Sequence, residues 1–583
     1  MALATLYSRA LQVDKSLPRC YGIIIDHKAR AESAEEAQWV AEQLRSKFDM
    51  DSTIIPLEWA EGMDLTSNNR FETDARHFRY RALGLTCKQR KITSLMTAHH
   101  ANDQAETVMM RLLVGRWRSG LQGMQSVQSI PECYGLHGIY HSGALDGPDM
   151  SWHKSGRLPY PIEQGGIRLL RPLLEIEKNR LIGTCEHYGT LWVEDKTNVD
   201  KTLTMRNTVR HITQHHKLPT ALSTGSLISL AQRMRERIDS LKDTAEHLFN
   251  QCPIRLDIQT GSLIVRFPQT SSLLSRPLVT ESDKNQARDV AYLLIERVAD
   301  LVSPKEAALV GRFSSVVELI YPTLSQVPSE AQETKETFAN FGLWFKKWDS
   351  PSPFNKKGEF PHRHDMEWLL TRQPFAEKDT PKITIPPLSV DPAASNQWHL
   401  FDGRFWLRLR NTTPADLTIR PFKVEDLMRL STDIKAIGRG TNRSIRLQRA
   451  ALSLIKPAKL RHILPAVFQK DGGRDVLVAL PTLNVSALEL VCDVRYKKVV
   501  FGTRSPKEIV MPGISRHDIL VAARQLEKDA PISNRVGKRR RETQGQANSS
   551  KRKEHLQKKQ ARVSGKQDTE EDRNIFKKLR DRL

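Results

Sequence analysis

Over the first 115 residues, short runs of continuous apolar sequence alternate with longer segments of helical period, and this restricts the fold more than any other feature. Cys20–Ile25 reads as a strand ending in Asp26-His27, Thr53–Trp59 as a second, and Ile92–Ala98 as a third, closed by His99-His100. Met1–Leu11, Ser33–Phe48, Asn69–Leu83 and Asp103–Val114 read as helices, the second opened by a Ser33/Glu36 capping box. Apolar strands alternating with helices require right-handed βαβ units and an α/β fold whose parallel sheet is covered on both faces. Ligands of such sheets sit at the carboxyl ends of the strands, which places Asp26-His27 and His99-His100 on one rim.

Signals weaken further along. Residues 125–165 hold Gly, Pro, Ser and His without period and read as a long loop or insertion. Order resumes at Arg168–Leu174, with helices near Glu175–Tyr188 and Leu222–Leu248. Hairpins are expected at Ile254–Phe267 and Trp398–Arg410, turning at Thr260-Gly261 and Asp402-Gly403, and a strand at Val476–Leu483. The expected division is an N-terminal α/β domain over 1–215, a helical and α+β region over 216–345, a Pro-rich linker over 346–395, an α+β region over 396–530 and a basic disordered tail over 531–583.

Charge points to the partner. The 583 residues carry 90 Lys/Arg against 67 Asp/Glu, a formal charge of +23, and Arg535–Leu583 alone holds 17 against 7. That excess makes a polyanion the leading partner. The tail reads as a solvated RNA-contacting segment or, from its clusters at Lys538 and Lys551, as a nuclear import signal. No run of 18 apolar residues occurs, which excludes a spanning helix and leaves no membrane role. None of the six cysteines is at C-x-x-C spacing, so neither a zinc ribbon nor a dithiol motif is present.

Three clusters carry chemistry. In Thr97–Thr107 a strand ends and a helix starts, and Asp103 and Glu106 share one face of the first turn. Such a pair could hold Mg²⁺ on a triphosphate, or orient and deprotonate an attacking amine; it could equally cap the helix, with His99 a plain strand-end residue. Arg70, Arg76, Arg79 and Arg81 form a basic helix that either contacts phosphate or faces solvent. Arg206 and Arg210 stand at i, i+4, so both guanidinium groups aim at one surface, again as phosphate grips or as a solvated helix end.

The order of the motifs adds a resemblance. Asp26-His27, Glu32-Ser33-Ala34-Glu35-Glu36, Arg76-x-x-Arg79-Tyr80, Ala98-His99-His100-x-x-Asp103-Gln104-x-Glu106-Thr107, Gly120-Leu121-x-Gly123-Met124, Arg171-Pro172-Leu173-Leu174 and Glu194-Asp195-x-x-Asn198 with Arg206-Asn207-x-x-Arg210 follow one another. Together they resemble the N-terminal domain of the tRNA(Ile)-lysidine synthetase family, PP-loop ATP pyrophosphatases, over residues 1 to about 215; the long insertions and tail suggest a eukaryotic, fungal-type member. Arg461–Val467, Asp471-Gly472-Gly473 and Val476–Leu480 faintly resemble its C-terminal RNA-binding region. The resemblance implies a Rossmann-like parallel sheet. It implies an ATP- and Mg²⁺-dependent ligase that adenylates the wobble cytidine of tRNA(Ile) with a CAU anticodon and then displaces AMP with L-lysine, in mitochondria, with cytoplasm or nucleus as alternatives. By the same resemblance Asp103 and Glu106 receive lysine and His99 joins them in catalysis. Asp26 and His27 line the adenosine side, Arg206 and Arg210 meet tRNA, and Arg76 and Arg79 meet phosphate or tRNA. No metal ligand set is assigned.

One departure stands against the matches. The family's Ser-Gly-Gly-x-Asp-Ser loop occurs nowhere in the chain, which begins Met1-Ala2-Leu3-Ala4 where the family's first helix follows that loop. The first strand and phosphate loop are therefore expected to be missing, and the chain as numbered to bind ATP poorly and form no lysidine. The alternatives are an upstream start that restores the loop, or an inactive tRNA-binding relative. A PP-loop tRNA thiolase is disfavoured, because the well-known ones need paired cysteines.

Overall fold

The computed structural model describes residues 1–28, 32–59, 71–116, 118–139, 158–163, 165–193, 205–305, 314–325, 335–355, 364–430, 441–488 and 490–528. Arg70, the Glu194-Asp195-x-x-Asn198 motif and the clusters at Lys538 and Lys551 lie outside them.

The N-terminal alternation is realised as α1 (Ala2–Val13), β1 (Gly22–Asp26), α2 (Ser33–Phe48), β2 (Ser52–Pro56), α3 (Phe71–Gln89), β3 (Ser94–Met96), α4 (Ala101–Leu113), β4 (Val127–Ser129), β5 (Arg168–Leu170), α5 (Lys178–His187) and α6 (Met205–His215). β1 runs parallel to β2, with Gly22 opposite Ser52 and Asp26 opposite Pro56. β3 runs parallel to β5, and β4 pairs antiparallel with β5's other edge. The parallel sheet thus lies in two pieces, and neither β1 nor β3 has a second strand neighbour among the described residues. Both pieces rest on α3, where Tyr80, Leu83 and Cys87 pack with Leu169, Ile23, Ile25 and Leu95. With one edge open, Gly22–Ile25 are only half-buried, although their composition is that of a fully covered strand.

Two local expectations are corrected. Ser33 does not cap α2: the N-cap is Glu32 without a side-chain bond, and the Ser33 hydroxyl donates to Asp26 Oδ1 at 2.6 Å. A carboxylate only 5% exposed needs that donor more than a helix end in water does. Residues 125–165 are not wholly an insertion: Val127–Ser129 is a strand, and Ile130, Cys133 and Ile139 are fully buried in the core on α3. A three-residue strand is too short to show a period.

Beyond it, α7 (Thr224–Gln251) leads into β6 (Ile254–Asp257), β7 (Ser262–Arg266), α8 (Glu281–Ala299), α9 (Ser314–Ile320), β8 (Thr337–Asn340), β9 (Leu343–Lys347), β10 (Glu367–Arg372), β11 (Ile383–Ile385), β12 (Trp398–Phe401), β13 (Phe405–Arg410), β14 (Leu417–Pro421), α10 (Val424–Arg429), α11 (Thr441–Leu454), β15 (Pro465–Asp471), β16 (Arg474–Leu480), β17 (Val485–Ser486), β18 (Val491–Tyr496), α12 (Pro506–Ile509) and α13 (Arg516–Lys528). Both expected hairpins form, as β6–β7 and β12–β13. The stretch 346–395 is not a linker: β10 lies between β7 and β9 in the sheet β6-β7-β10-β9-β8, and Trp368 and Leu370 enter a core shared with α7, α8, β13 and β18. Proline flanks the strand without entering it, so composition misled. The chain divides at Leu520 into one compact unit and a second, Val521–Leu583, of which only the end of α13 is described.

Candidate active site

α4 starts at the carboxyl end of β3. Its N-cap is His100, whose amide donates to Asp103 Oδ2 at 3.0 Å while its Nδ1 accepts from the Asp103 amide at 3.3 Å, a reciprocal capping box. Asp103 therefore does cap, as one of the two readings allowed. Asn102 Oδ1 accepts from the Lys178 amide at 3.0 Å and so ties α4's first turn to the start of α5. The glycine motif has a local reason: Gly123 takes φ +67°, and a Cβ there would stand 2.6 Å from Gln104 Oε1. Gln104 meanwhile accepts from the Met124 amide at 2.6 Å and donates to its carbonyl at 3.0 Å.

α6 brings the second cluster to the first. Arg210 grips Glu106 with both ends, Nε to Oε1 at 2.8 Å and Nη2 to Oε2 at 3.0 Å. Its Nη2 also stands 3.9 Å from Asp103 Oδ1. Arg206 lies looser, its Nη2 donating to Thr107 Oγ1 at 3.4 Å and its Nε 3.8 Å from Glu106, with that Nε buried and lacking a hydrogen-bond partner. Four residues about 100 positions apart thus form one group.

His99 Nδ1 is 2.9 Å from Thr97 Oγ1. Burial, then the cations Arg171, Arg206 and Arg79, outweigh the opposing pull of Asp103 and bring its pKa down to about 4, so the ring is neutral at pH 7. Arg79 thus lies near enough to weigh on the charge of His99. Arg76 is held by Glu132 at 3.0 Å and lies over the Tyr80 ring. Asp26 and His27 stand at the β1–α2 turn. Burial pushes Asp26's pKa up, but bonds from Ser33 and the Lys28 amide outweigh it and lower it on balance; the His27 carbonyl accepts from Trp59. Neither lines the cleft described next.

A cleft of about 1040 Å³ opens beside α4, lined by His100, Asp103, Glu106, Arg210 and the amino end of α1. The first-turn amides of α1 have no helical partner, so the helix's positive end faces the cleft. These donors fit an anionic group such as ATP's phosphates. A protein-held Mg²⁺ fits less well: both Glu106 oxygens are spent on Arg210, Asp103 has only Oδ1 beyond its cap, and no group of three candidate ligands occurs among the described residues. Sequence reading quoted Arg171 in a motif without giving it a role, and it missed Arg235 of α7, which carries no motif. No helix among the described residues is long and apolar enough to cross a membrane.

Residues 1–216 match the family model ATP_bind_3, a PP-loop domain, and they fold on a Rossmann-like α/β frame. The chain is similar, as its motif order implied, to tRNA(Ile)-lysidine synthases. It is 26% identical to a probable one of Schizosaccharomyces pombe over 474 residues, covering 79% of this chain and 84% of that one. It is 30% identical to that of Methylobacterium nodulans over 222 residues, 38% of this chain and 53% of that one. It is 32% identical to that of Novosphingobium aromaticivorans over 176 residues, 30% and 42% respectively. The match thus spans about half the length of these bacterial relatives, and most of the fungal one.

Proposed function

We propose that this chain modifies tRNA as a ligase, joining lysine to the wobble cytidine of an isoleucine tRNA with a CAU anticodon through an adenylated cytidine. The observation that carries the reading is the convergence of Asp103, Glu106, Arg206, Arg210 and His99 at the carboxyl end of a parallel sheet in a PP-loop domain. The cytidine C2 oxygen bonds to the α-phosphorus of ATP, pyrophosphate leaves, and the adenylated oxygen becomes a leaving group. The amine of lysine then bonds to C2, the C2–oxygen bond breaks, and AMP departs with the electron pair. Asp103 Oδ1, the oxygen not used in capping, receives the ammonium end of lysine and takes the proton released. Glu106 acts through Arg210, which it holds in place. Arg206, whose side chain is 32% exposed, meets the phosphate of the activated tRNA, and the neutral His99 adds no further positive charge beside Arg210.

A second reading, a tRNA-binding relative without ligation, is supported by the formal charge of +23, which fits tRNA binding whether or not the family's Ser-Gly-Gly-x-Asp-Ser loop is present. One assay separates them: pyrophosphate release and lysine incorporation with a CAU tRNA, run on the chain as numbered and on the chain preceded by a strand and that loop. Incorporation by the loop-bearing form supports the ligase. Tight tRNA binding with no incorporation by either form supports the second reading.

A further inference from the structure

Across α4 from the cleft lies a smaller cavity of about 270 Å³. The helix separates the two, because Gln104 lines this one while Asp103 and Glu106 line the cleft. Its charged lining residues are Arg171, just after β5, Arg235, in the middle of α7, and the exposed Glu175, with Ser126 and Gln232 among the polar ones. Both guanidinium groups hold one loop by consecutive carbonyls, Arg235 Nη2 donating to Met124 at 3.0 Å and Arg171 Nη1 to Gln125 at 2.7 Å. Arg171 is only 4% exposed, and the Nε of each arginine is buried without a hydrogen-bond partner. Buried guanidinium groups are ordinarily matched by carboxylates, and among the described residues neither has an ion-pair partner. Two arginines without an ion-pair partner that line one small polar space are the chemistry of a phosphate site.

We propose that this notch binds one phosphodiester group of an RNA strand whose adjoining nucleotide enters the cleft on the other side of α4. The proposal rests on the tRNA reading for its choice of polymer. The volume decides against a whole nucleotide, since sites for drug-sized ligands run to roughly 300–1,000 Å³. A phosphate with its flanking ester oxygens fits.

The experiment is binding by the full chain over a salt series, with a CAU-anticodon tRNA, an unrelated tRNA and, in parallel, ATP. Arg235→Gln should weaken both tRNAs alike, by about 3- to 10-fold, and reduce the slope of log K against log[salt] by about 0.7–0.9, one phosphate contact. Arg235→Lys should keep the slope, and ATP binding should not move. Gln232→Glu, at an exposed position, should weaken both tRNAs similarly and serves if Arg235→Gln does not fold. Unchanged tRNA affinity and slope in the folded variants would overturn the proposal. So would a loss confined to ATP, which would give the notch to a nucleotide's phosphates. If the protein transfers no lysine yet the slope changes as stated, the ligase reading fails and the notch stands.

Discussion

Glu106 is 4% exposed, and Arg210 is what makes its burial tolerable. Arg210→Met should therefore leave the buried Glu106 with only its looser Arg206 contact and cost up to about 3–5 kcal/mol in urea unfolding, most of it recovered by adding Glu106→Gln. A loss under about 1 kcal/mol would show that the pair is screened by water. His99 gives a pH signature. Its folded pKa of about 4 lies below the usual 6.5, so the unfolded chain takes up the proton first as pH falls. Stability from the neutral ring is complete above about pH 6.5 and gone by about pH 4. His137, which burial and then Arg495, Lys88 and Arg408 push down to about 3, acts in the same direction. His99→Gln should flatten the fall in stability between pH 6.5 and 4, leaving the part due to His137 and to His100 and His399, which burial also pushes down. The same steepness in both proteins would contradict the buried, cation-flanked position of His99.

At the scale of elements, α4 is fixed from both ends of its first turns, by the His100–Asp103 box and by Gln104 on the Gly123–Met124 loop. Gly123→Ala puts a Cβ into a left-handed backbone and against the Gln104 amide, and should cost about 1–2 kcal/mol or more, read as a lowered Tm. An unchanged Tm would mean that the loop does not hold the helix. Helices were legible because a buried stripe leaves a period: α2 was expected at Ser33–Phe48 and forms there. β4 was not legible, because three residues carry no pattern, and β10 was hidden by the proline-rich sequence around it. The candidate site was half legible. Spacing within one helix gave Asp103 with Glu106 and Arg206 with Arg210. That the four meet depends on how α6 packs on α4, which no local pattern encodes. The Ser33 misreading has the same cause, a tertiary partner, Asp26, outbidding a local one.

For the whole molecule, a formal charge of +23 should make tRNA binding fall steeply with salt, about 0.9 in the log–log slope per phosphate on duplex and less on single strands. Deleting Arg535–Leu583, with its 17 Lys/Arg, should weaken all tRNAs together and not change which is preferred. A flat salt response, or a tail deletion that alters preference, would contradict a phosphate-dominated contact. The most direct test of the ligase reading is lysine incorporation into a CAU-anticodon tRNA by the loop-bearing chain and by the same chain with Asp103→Asn. Asparagine keeps an oxygen for the His100 amide, so melting should be nearly unchanged, whereas loss of the cap in Asp103→Ala should cost about 0.5–2 kcal/mol. The predicted result is incorporation by the parent and none by Asp103→Asn at equal folding; retained incorporation in Asp103→Asn would contradict the assignment of the amine to Asp103.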